Sequence, residues 1–258
     1  MKIVTWNLRC LWKAIDGVNA FIHRAGFIYD KIMQEKPSVI AFQEVIPDSL
    51  ELLKRTLPEY EFFGSFRTEK YEQEGLFVAF LKDEFTLLGA DVFWMSPTPY
   101  VAGSRFENQS EYPRVCAYAK LLCKKTFEIL NVFDLHLDHI SDEAKKLGLG
   151  VVFEYIEKRQ DSVDKNKTII LGDFNAYEDS ETLRFVREKS WLVDSTKGIG
   201  VTYHDFETEE CCHIDYIFIS KALENRIEKV ETWLDEHCGI YLSDHYPVCL
   251  ELTNESEE

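Results

Sequence analysis

Two packed β-sheets with helices on their outer faces is the architecture that the sequence predicts. Three observations lead to it. Strand-like and helix-like runs alternate along all 258 residues. The middle of the chain holds successive strand-like runs with little helix between them. No internal repeat and no Pro/Gly/Ser-rich linker divides the chain, so one α/β domain over residues 1–253 is expected, followed by a frayed acidic tail at 254–258. Hydrophobic residues make up 45% and aromatic residues 14%, which is ample for a large core and excludes disorder over most of the chain.

The elements follow in order. Residues 2–6 are a short β-rich run ending at the polar Asn7. Residues 20–35 place Phe21, Ala25, Ile28 and Ile32 on one helical face, and Pro37 stops that helix. Residues 38–42 read as a buried strand and 49–57 as a second helix. Residues 76–81, 85–94, 115–122 and 127–135 read as strands. Residues 141–159 form a helix with Ser141 as its N-cap. A strand at 168–171 and a helix at 180–189 follow, and strands return at 214–219, 227–233 and 246–252. Between them, SPTPYVAGSRFENQSEYP (96–113) carries three prolines and Gly103, so it is expected to be a loop. Loops of that length in a compact domain are often functional.

Charge narrows the partners. Lys plus Arg is 29 and Asp plus Glu is 46, a formal net charge of −17. Such a field repels nucleic acid and anionic membranes, so no strong binding to duplex DNA is expected and no membrane partner. A local basic or metal-bearing cleft can still accept a phosphate. The seven cysteines are odd in number and form no C-x-x-C pair, which suits a reducing compartment. No secretory signal and no apolar run of about 20 residues is visible, so a cytoplasmic location is expected.

Several strand-like runs end in polar clusters. Asn7 closes the first. Gln43 and Glu44 follow Phe42, and Asp134 and His136 interrupt the run at 130–137. Asp173 and Asn175 follow Leu171-Gly172, Asp215 opens the run at 214–219, and Asp244-His245 precede the last strand. Rigid strand ends are good places to hold reacting groups. Taken singly, each residue has a plain structural reading. Asn7 and the tetrad from Gly172 to Asn175 suit turns, Glu44 or Asp244 could cap an element, His136 could be a core histidine, and Arg114 could simply start a strand. Their joint occurrence in this order points to chemistry. Carboxylates at this density with a few imidazoles suit Mg²⁺, or Mn²⁺, rather than zinc.

The ordered segments TWNLR, FQE, PRVCAYAKL, NVFDLHLDH, LGDFNA, HIDYIF and SDHYPV resemble the endonuclease/exonuclease/phosphatase superfamily, also called deoxyribonuclease I-like, over residues 5–248. The resemblance implies a four-layered α/β/β/α sandwich and Mg²⁺-dependent hydrolysis of phosphoester bonds. It implies that Glu44 is the principal metal ligand, with Asn7 beside it and Asp244 near the metal. It casts Asp173 as the carboxylate that orients and helps deprotonate the attacking water, and Asn175 as a holder of a phosphoryl oxygen. His245 faces the scissile phosphate with Asp215 as its paired carboxylate, His136 is a second phosphate-facing histidine, and Arg114 aligns with a phosphate-binding arginine.

Within that family the stretch CCHIDYIF lacks the signature of inositol polyphosphate phosphatases. His136 and the net charge disfavour abasic-site endonucleases. The chain looks like the compact bacterial members, distantly similar to deadenylase and nocturnin-like catalytic domains. The expected function is a Mg²⁺-dependent phosphodiesterase on a nucleotide, a sugar phosphate or a short single-stranded nucleic acid. Its rivals are a phosphomonoesterase on a small phosphorylated metabolite and a silent binding module of the same fold. His139, His204, His213 and His237 are expected to be structural or at the surface, with Asp138 and His139 able to line the cleft rim. Trp12 and Trp94 could stack on a base or sugar but suit packing better. His23 and Arg24, in NAFIHR, resemble a recurrent segment of the bacterial members, and the plain structural expectation for Arg24 is a salt bridge on the first helix.

Overall fold

Period-two alternation along the strands sorts the apolar side chains into three separate layers. The computed structural model describes residues 1–10, 14–159, 163–207 and 211–253, so Trp12 and the acidic tail lie outside the described residues. In chain order the first elements are β1 (Lys2–Asn7), α1 (Phe21–Glu35), β2 (Val39–Val45), α2 (Pro47–Thr56), β3 (Tyr60–Phe66), β4 (Gly75–Leu81) and β5 (Phe85–Trp94). They are followed by β6 (Val115–Cys123), β7 (Ile129–His136), α3 (Asp142–Lys158), β8 (Thr168–Asp173) and α4 (Glu181–Arg187). The remainder is β9 (Leu192–Asp194), β10 (Asp215–Ser220), β11 (Ile227–Thr232), β12 (Glu236–His237), β13 (Ile240–Tyr241) and β14 (Val248–Leu252).

One six-stranded sheet runs β11-β14-β1-β2-β4-β3 and the other β5-β6-β7-β8-β10-β9, while β12 and β13 form a small hairpin. The pairs β1/β2 and β7/β8 are parallel. Between the sheets lie Ile3, Val39, Ala41, Val78, Val132, Leu171, Ile217 and Leu250. Their chain neighbours Val4, Ile40 and Phe42 point the other way, against Ile28 and Ile32 of α1 and Leu50 and Leu53 of α2. On the far side, Phe133, Ile170 and Phe218 pack against Leu149 and Val152 of α3 and Leu183 and Val186 of α4. The layers are therefore α/β/β/α, as the sequence predicts, because helices cover the outer face of each sheet.

Local chemistry sets the helix ends. Pro47 opens α2, where a missing N–H is harmless, so this helix starts before the expected residue 49. Ser141 Oγ accepts from Ala144 N at 3.1 Å and Ser180 Oγ from Leu183 N at 3.2 Å, capping α3 and α4. Strand β3 departs from the sequence expectation. Glu61, Gly64 and Ser65 break its apolar pattern, and it exists because all seven residues pair antiparallel with β4. Residues 96–113 hold no regular element. Trp94, at their entry, is buried and donates Nε1–H to Arg67 O at 2.8 Å, so it packs rather than stacks. Cys116, Cys123 and Cys249 are buried in the three apolar layers, as small hydrophobes. No helix is long and apolar enough to cross a membrane, among the described residues.

Gly172 occupies the tightest backbone position beside the polar strand ends. Its φ is +143°, and a Cβ there would lie 1.8 Å from Leu135 O of the neighbouring strand. Gly172→Ala is expected to lower unfolding free energy by at least about 1–3 kcal/mol, the cost of such backbone strain, before the clash is counted. Urea denaturation measures it, and a loss below about 0.5 kcal/mol, the scatter of neutral surface changes, would contradict this account.

Candidate active site

The inward-facing positions of four strands end in polar groups at one end of the sandwich. On β1 the series is Ile3, Thr5, Asn7; on β7 it is Val132, Asp134, His136; on β8 it is Ile169, Leu171, Asp173. On β10, read backwards, it is Ile219, Ile217, Asp215. Register completes the assembly, because His136 sits opposite Asp173 and Asp173 opposite Asp215. Alternation that drives Ile, Val and Leu into the core thus carries these polar residues to the edge of the same inter-sheet space.

Asp173 is the hub. Its Oδ1 accepts from Asn175 N at 2.8 Å, and its Oδ2 accepts from Asn7 Nδ2 at 3.1 Å. His136 Nε2 is 3.4 Å and His245 Nε2 is 3.9 Å from the same Oδ2. Asn7 Nδ2 also donates to Glu44 Oε1 at 3.1 Å, so the Glu44 and Asp173 oxygens are no farther apart than twice that bond. Glu44 sits in an irregularity of β2 between Phe42 and Val45, with φ +57°. A bulge of this kind re-aims a side chain that regular pairing would hold in the ladder. Asn175, with φ +48°, turns the chain out of β8 and ties its Nδ2 to Leu137 O at 3.1 Å.

His245 Nδ1 and Asp215 Oδ2 are 2.8 Å apart, both buried. Burial alone would lower the imidazole, but Asp215, aided by Asp244 and Asp173, overrides it and raises His245 to about 10. The ring is therefore cationic at neutral pH. His136 is driven the other way, well below the usual range, by burial and then by Arg114 and Arg67, and is neutral. Burial, then Asp215, pushes Asp173 up to about 7. Two buried histidines beside one carboxylate are thus in opposite protonation states.

The expected residues do not all meet equally. Asn7, Glu44, His136, Asp173, Asn175, Asp215 and His245 form one connected group. Asp244 is drawn aside: its Oδ2 faces Arg9 Nη1 at 3.3 Å and its Oδ1 accepts from Ser243 Oγ at 3.1 Å. Arg114 lies outside that network, with Nη2 3.1 Å from His139 Nδ1. All of this opens on a cleft of about 1150 Å³. Of the other histidines, His204 is buried and stacks on Tyr246 at 4.0 Å, His213 stacks on Tyr216 at 4.3 Å, and His237 is exposed. His139 lines the cleft.

Arg24 corrects an expectation. It is fully buried and makes no salt bridge among the described residues, because its guanidinium donates to four carbonyls instead: Asn19 O at 2.5 Å, Leu242 O at 2.6 Å, Arg9 O at 2.7 Å and Leu8 O at 3.0 Å. A planar fork with five donors can tie together loops that a lysine could not. Sequence reasoning also passes over Arg9, Arg67 and Glu74, all of which line the cleft. Arg9 lies inside the TWNLR segment; Arg67 follows the unexpected β3, and Glu74 immediately precedes β4.

Among the described residues, two places in this cleft could hold a cation. Asp173, Asp215 and His245 offer ligand atoms within 4.8 Å of one another. That trio is a poor site, since His245 is protonated and already bonded to Asp215. Glu44 is the better one. Its Oε2 is buried with no hydrogen-bond partner among the described residues, a costly state for a carboxylate oxygen unless a cation meets it. A carboxylate with neighbouring oxygen donors fits a hard divalent ion.

The sequence matches the model of the endonuclease/exonuclease/phosphatase family over residues 4–245. Among solved structures, an endonuclease/exonuclease/phosphatase from Bacteroides vulgatus is 25% identical, with a TM-score of 0.87 and 98% of each chain covered. A mannosyl-6-phosphatase from Bacteroides thetaiotaomicron is 23% identical, with a TM-score of 0.89 over 98% of this chain and 100% of its own. TDP2 from D. rerio, complexed with a single-strand DNA product, is 18% identical, with a TM-score of 0.73 over 97% of both chains. A search of the curated proteins returned no match.

Proposed function

The chain belongs to the endonuclease/exonuclease/phosphatase family, and from that premise we propose that it is a metal-assisted phosphoester hydrolase acting on a small phosphorylated substrate. The observation that carries this reading is Asp173, held between the Asn7–Glu44 pair on one side and the cationic His245–Asp215 pair on the other. Glu44, with Asn7 at its side, would hold Mg²⁺ or Mn²⁺; when bound, the ion supplies Lewis-acid neutralisation of a phosphoryl oxygen. Asp173, raised toward neutral pH by burial, orients a water and takes its proton. His245, kept protonated by Asp215, donates to a phosphoryl oxygen as negative charge grows on it. His136 is neutral and within reach of Asp173, so it can donate or accept through Nε2 without adding charge. Asn175, fixed by its bond to Leu137 O, adds a dipole beside the same oxygen. Asp244 acts through Arg9 rather than as a ligand.

A diester is what the family segments alone lead to, and a TDP2 structure with single-strand DNA product belongs to the same fold. A phosphomonoester is favoured by one feature of the cleft, a pair of buried arginines, and accords with the likeness to a mannosyl-6-phosphatase. We place the protein in the cytoplasm, where its seven free thiols would persist, and treat residues 1–253 as one domain. The connected group of Asn7, Glu44, His136, Asp173, Asn175, Asp215 and His245 counts against a silent binding module.

Removing the metal tests the reading. With Mg²⁺, p-nitrophenyl phosphate or bis-p-nitrophenyl phosphate is expected to be hydrolysed, and EDTA should abolish turnover until excess Mg²⁺ restores it. Turnover that survives EDTA, or hydrolysis of neither ester, would overturn it.

A further inference from the structure

One wall of the cleft carries two arginines with more donors than acceptors. Arg114 is 5% exposed and Arg67 is 7% exposed. Arg67 Nη2 lies 2.6 Å from Glu74 Oε2, and its guanidinium stands 4.6 Å above the ring of Tyr112, from the 96–113 segment. Arg114 gives one nitrogen to His139, and its Nε is 3.9 Å from Asp138 Oδ1, beyond hydrogen-bond reach. Among the described residues, Arg67 Nε, Arg114 Nε and Arg114 Nη1 are buried with no hydrogen-bond partner. Leaving such donors unmet is costly, and an anion would meet them.

The nearby carboxylates do not neutralise this wall. Asp138 spends both oxygens elsewhere, Oδ1 on Ser110 N and Oγ, and Oδ2 on Ile140 N and Ser141 N. Glu74 meets one nitrogen of Arg67 through Oε2 and leaves Arg67 Nε unmatched among the described residues. Arg114 is lowered to about 10 by burial and by Arg67, yet it stays cationic at neutral pH. Glu44, Arg67, Glu74, Arg114 and His136 surround a recess of about 10 Å³ off the main cleft. That is room for about one water-sized atom, such as a phosphoryl oxygen, and not for an ester chain.

We infer that Arg67 and Arg114 together receive a non-ester oxygen of a phosphoryl dianion, so that the substrate is a phosphomonoester rather than a diester. The inference rests on the hydrolase reading and sharpens it. A monoester presents a second negative charge, and two buried guanidiniums around a one-atom recess match that charge and that size. A diester has two non-ester oxygens, which a cation at Glu44 and the His245 side would engage; a monoester keeps a third for the recess, and with it the second charge. Glu74 aligns Arg67 through its ion pair, and the Tyr112 ring stacks on its guanidinium.

The test compares p-nitrophenyl phosphate with methyl p-nitrophenyl phosphate, which differ by one methyl group and keep the same leaving group. The wild-type protein with Mg²⁺ should favour the monoester by at least about 10-fold in kcat/KM, the lower end of what an unmatched buried polar site rejects. Arg67→Gln should erode that preference by at least about 10-fold, and Arg67→Lys should recover part of it. Isothermal titration with inorganic phosphate gives a readout without turnover: wild type should bind it at least about 10-fold more tightly than Arg67→Gln, the loss of one charge-assisted contact. Faster turnover of the methyl ester by wild type overturns the proposal even if Arg67→Gln does not fold, as does an equal loss on both esters in a folded variant. Should neither ester be hydrolysed, the hydrolase reading fails by itself. Phosphate binding then decides the recess, with equal affinity in wild type and variant refuting it.

Discussion

His245→Ala is expected to lower kcat by on the order of 10² to 10⁴, the range for a positioned proton donor or acceptor, with the fold unchanged. The ring is buried within 3.9 Å of the Asp173 carboxylate and is bonded to Asp215 at 2.8 Å. Asp215→Asn should cost nearly as much. It keeps the shape but removes the main charge that holds the ring protonated, so burial would pull the imidazole down from its raised value. The double variant should be little worse than His245→Ala, because both act through one proton. Losses that multiply would mean the two residues act independently. Nitrogen NMR of the metal-free protein reads the same dyad directly. With Asp215 present, the His245 ring should keep its second proton past neutrality and release it near pH 10. A ring titrating near 6.5 would contradict the geometry. The linked stability has a definite sign. Because the folded value is raised, the stabilisation from this group is complete below about pH 6.5 and is lost as pH climbs through about 10.

Glu44→Gln is expected to weaken Mg²⁺ binding and to cut turnover by on the order of 10² to 10³ at fixed Mg²⁺, comparable to removing one preorganised stabilising group. The amide has the same shape, so Asn7 keeps a partner and the melting temperature should barely move. What disappears is the charge of an oxygen that has no hydrogen-bond partner among the described residues. Titration calorimetry with Mg²⁺ measures the first effect and Mg²⁺-dependent kinetics the second. Raising Mg²⁺ should recover part of the rate. A variant as active as wild type, or one that binds Mg²⁺ equally well, would remove Glu44 from its assigned place.

His245, Asp215 and Glu44 are all legible in the sequence, because strand ends rich in Asp, Asn, Glu and His stand out against apolar runs. Arg67 and Glu74 are not. Nothing in GSFRTEKYEQEG separates them from an ordinary charged loop, and β3, which leads to Arg67, lacks a clean period of two. Arg24 is conspicuous in the sequence, but its partners are not. A helical arginine usually meets a carboxylate at the surface, whereas this one is enclosed by four carbonyls from three separate segments.

By itself the sequence determined the layer order, most of the elements and the identity of the polar strand ends. Those properties follow from local periodicity and residue type, which act over a few residues and need no partner. Tertiary structure alone decided which of those ends meet and in which protonation state. Asp173 acquires its raised value, His245 its charge and His136 its neutrality only after the strands have paired and water has left the space between the sheets. The same holds for the arginine-lined recess. Its donors lose their water because β3, β4, β6 and the 96–113 segment close around them, and that enclosure depends on register between residues far apart in the chain.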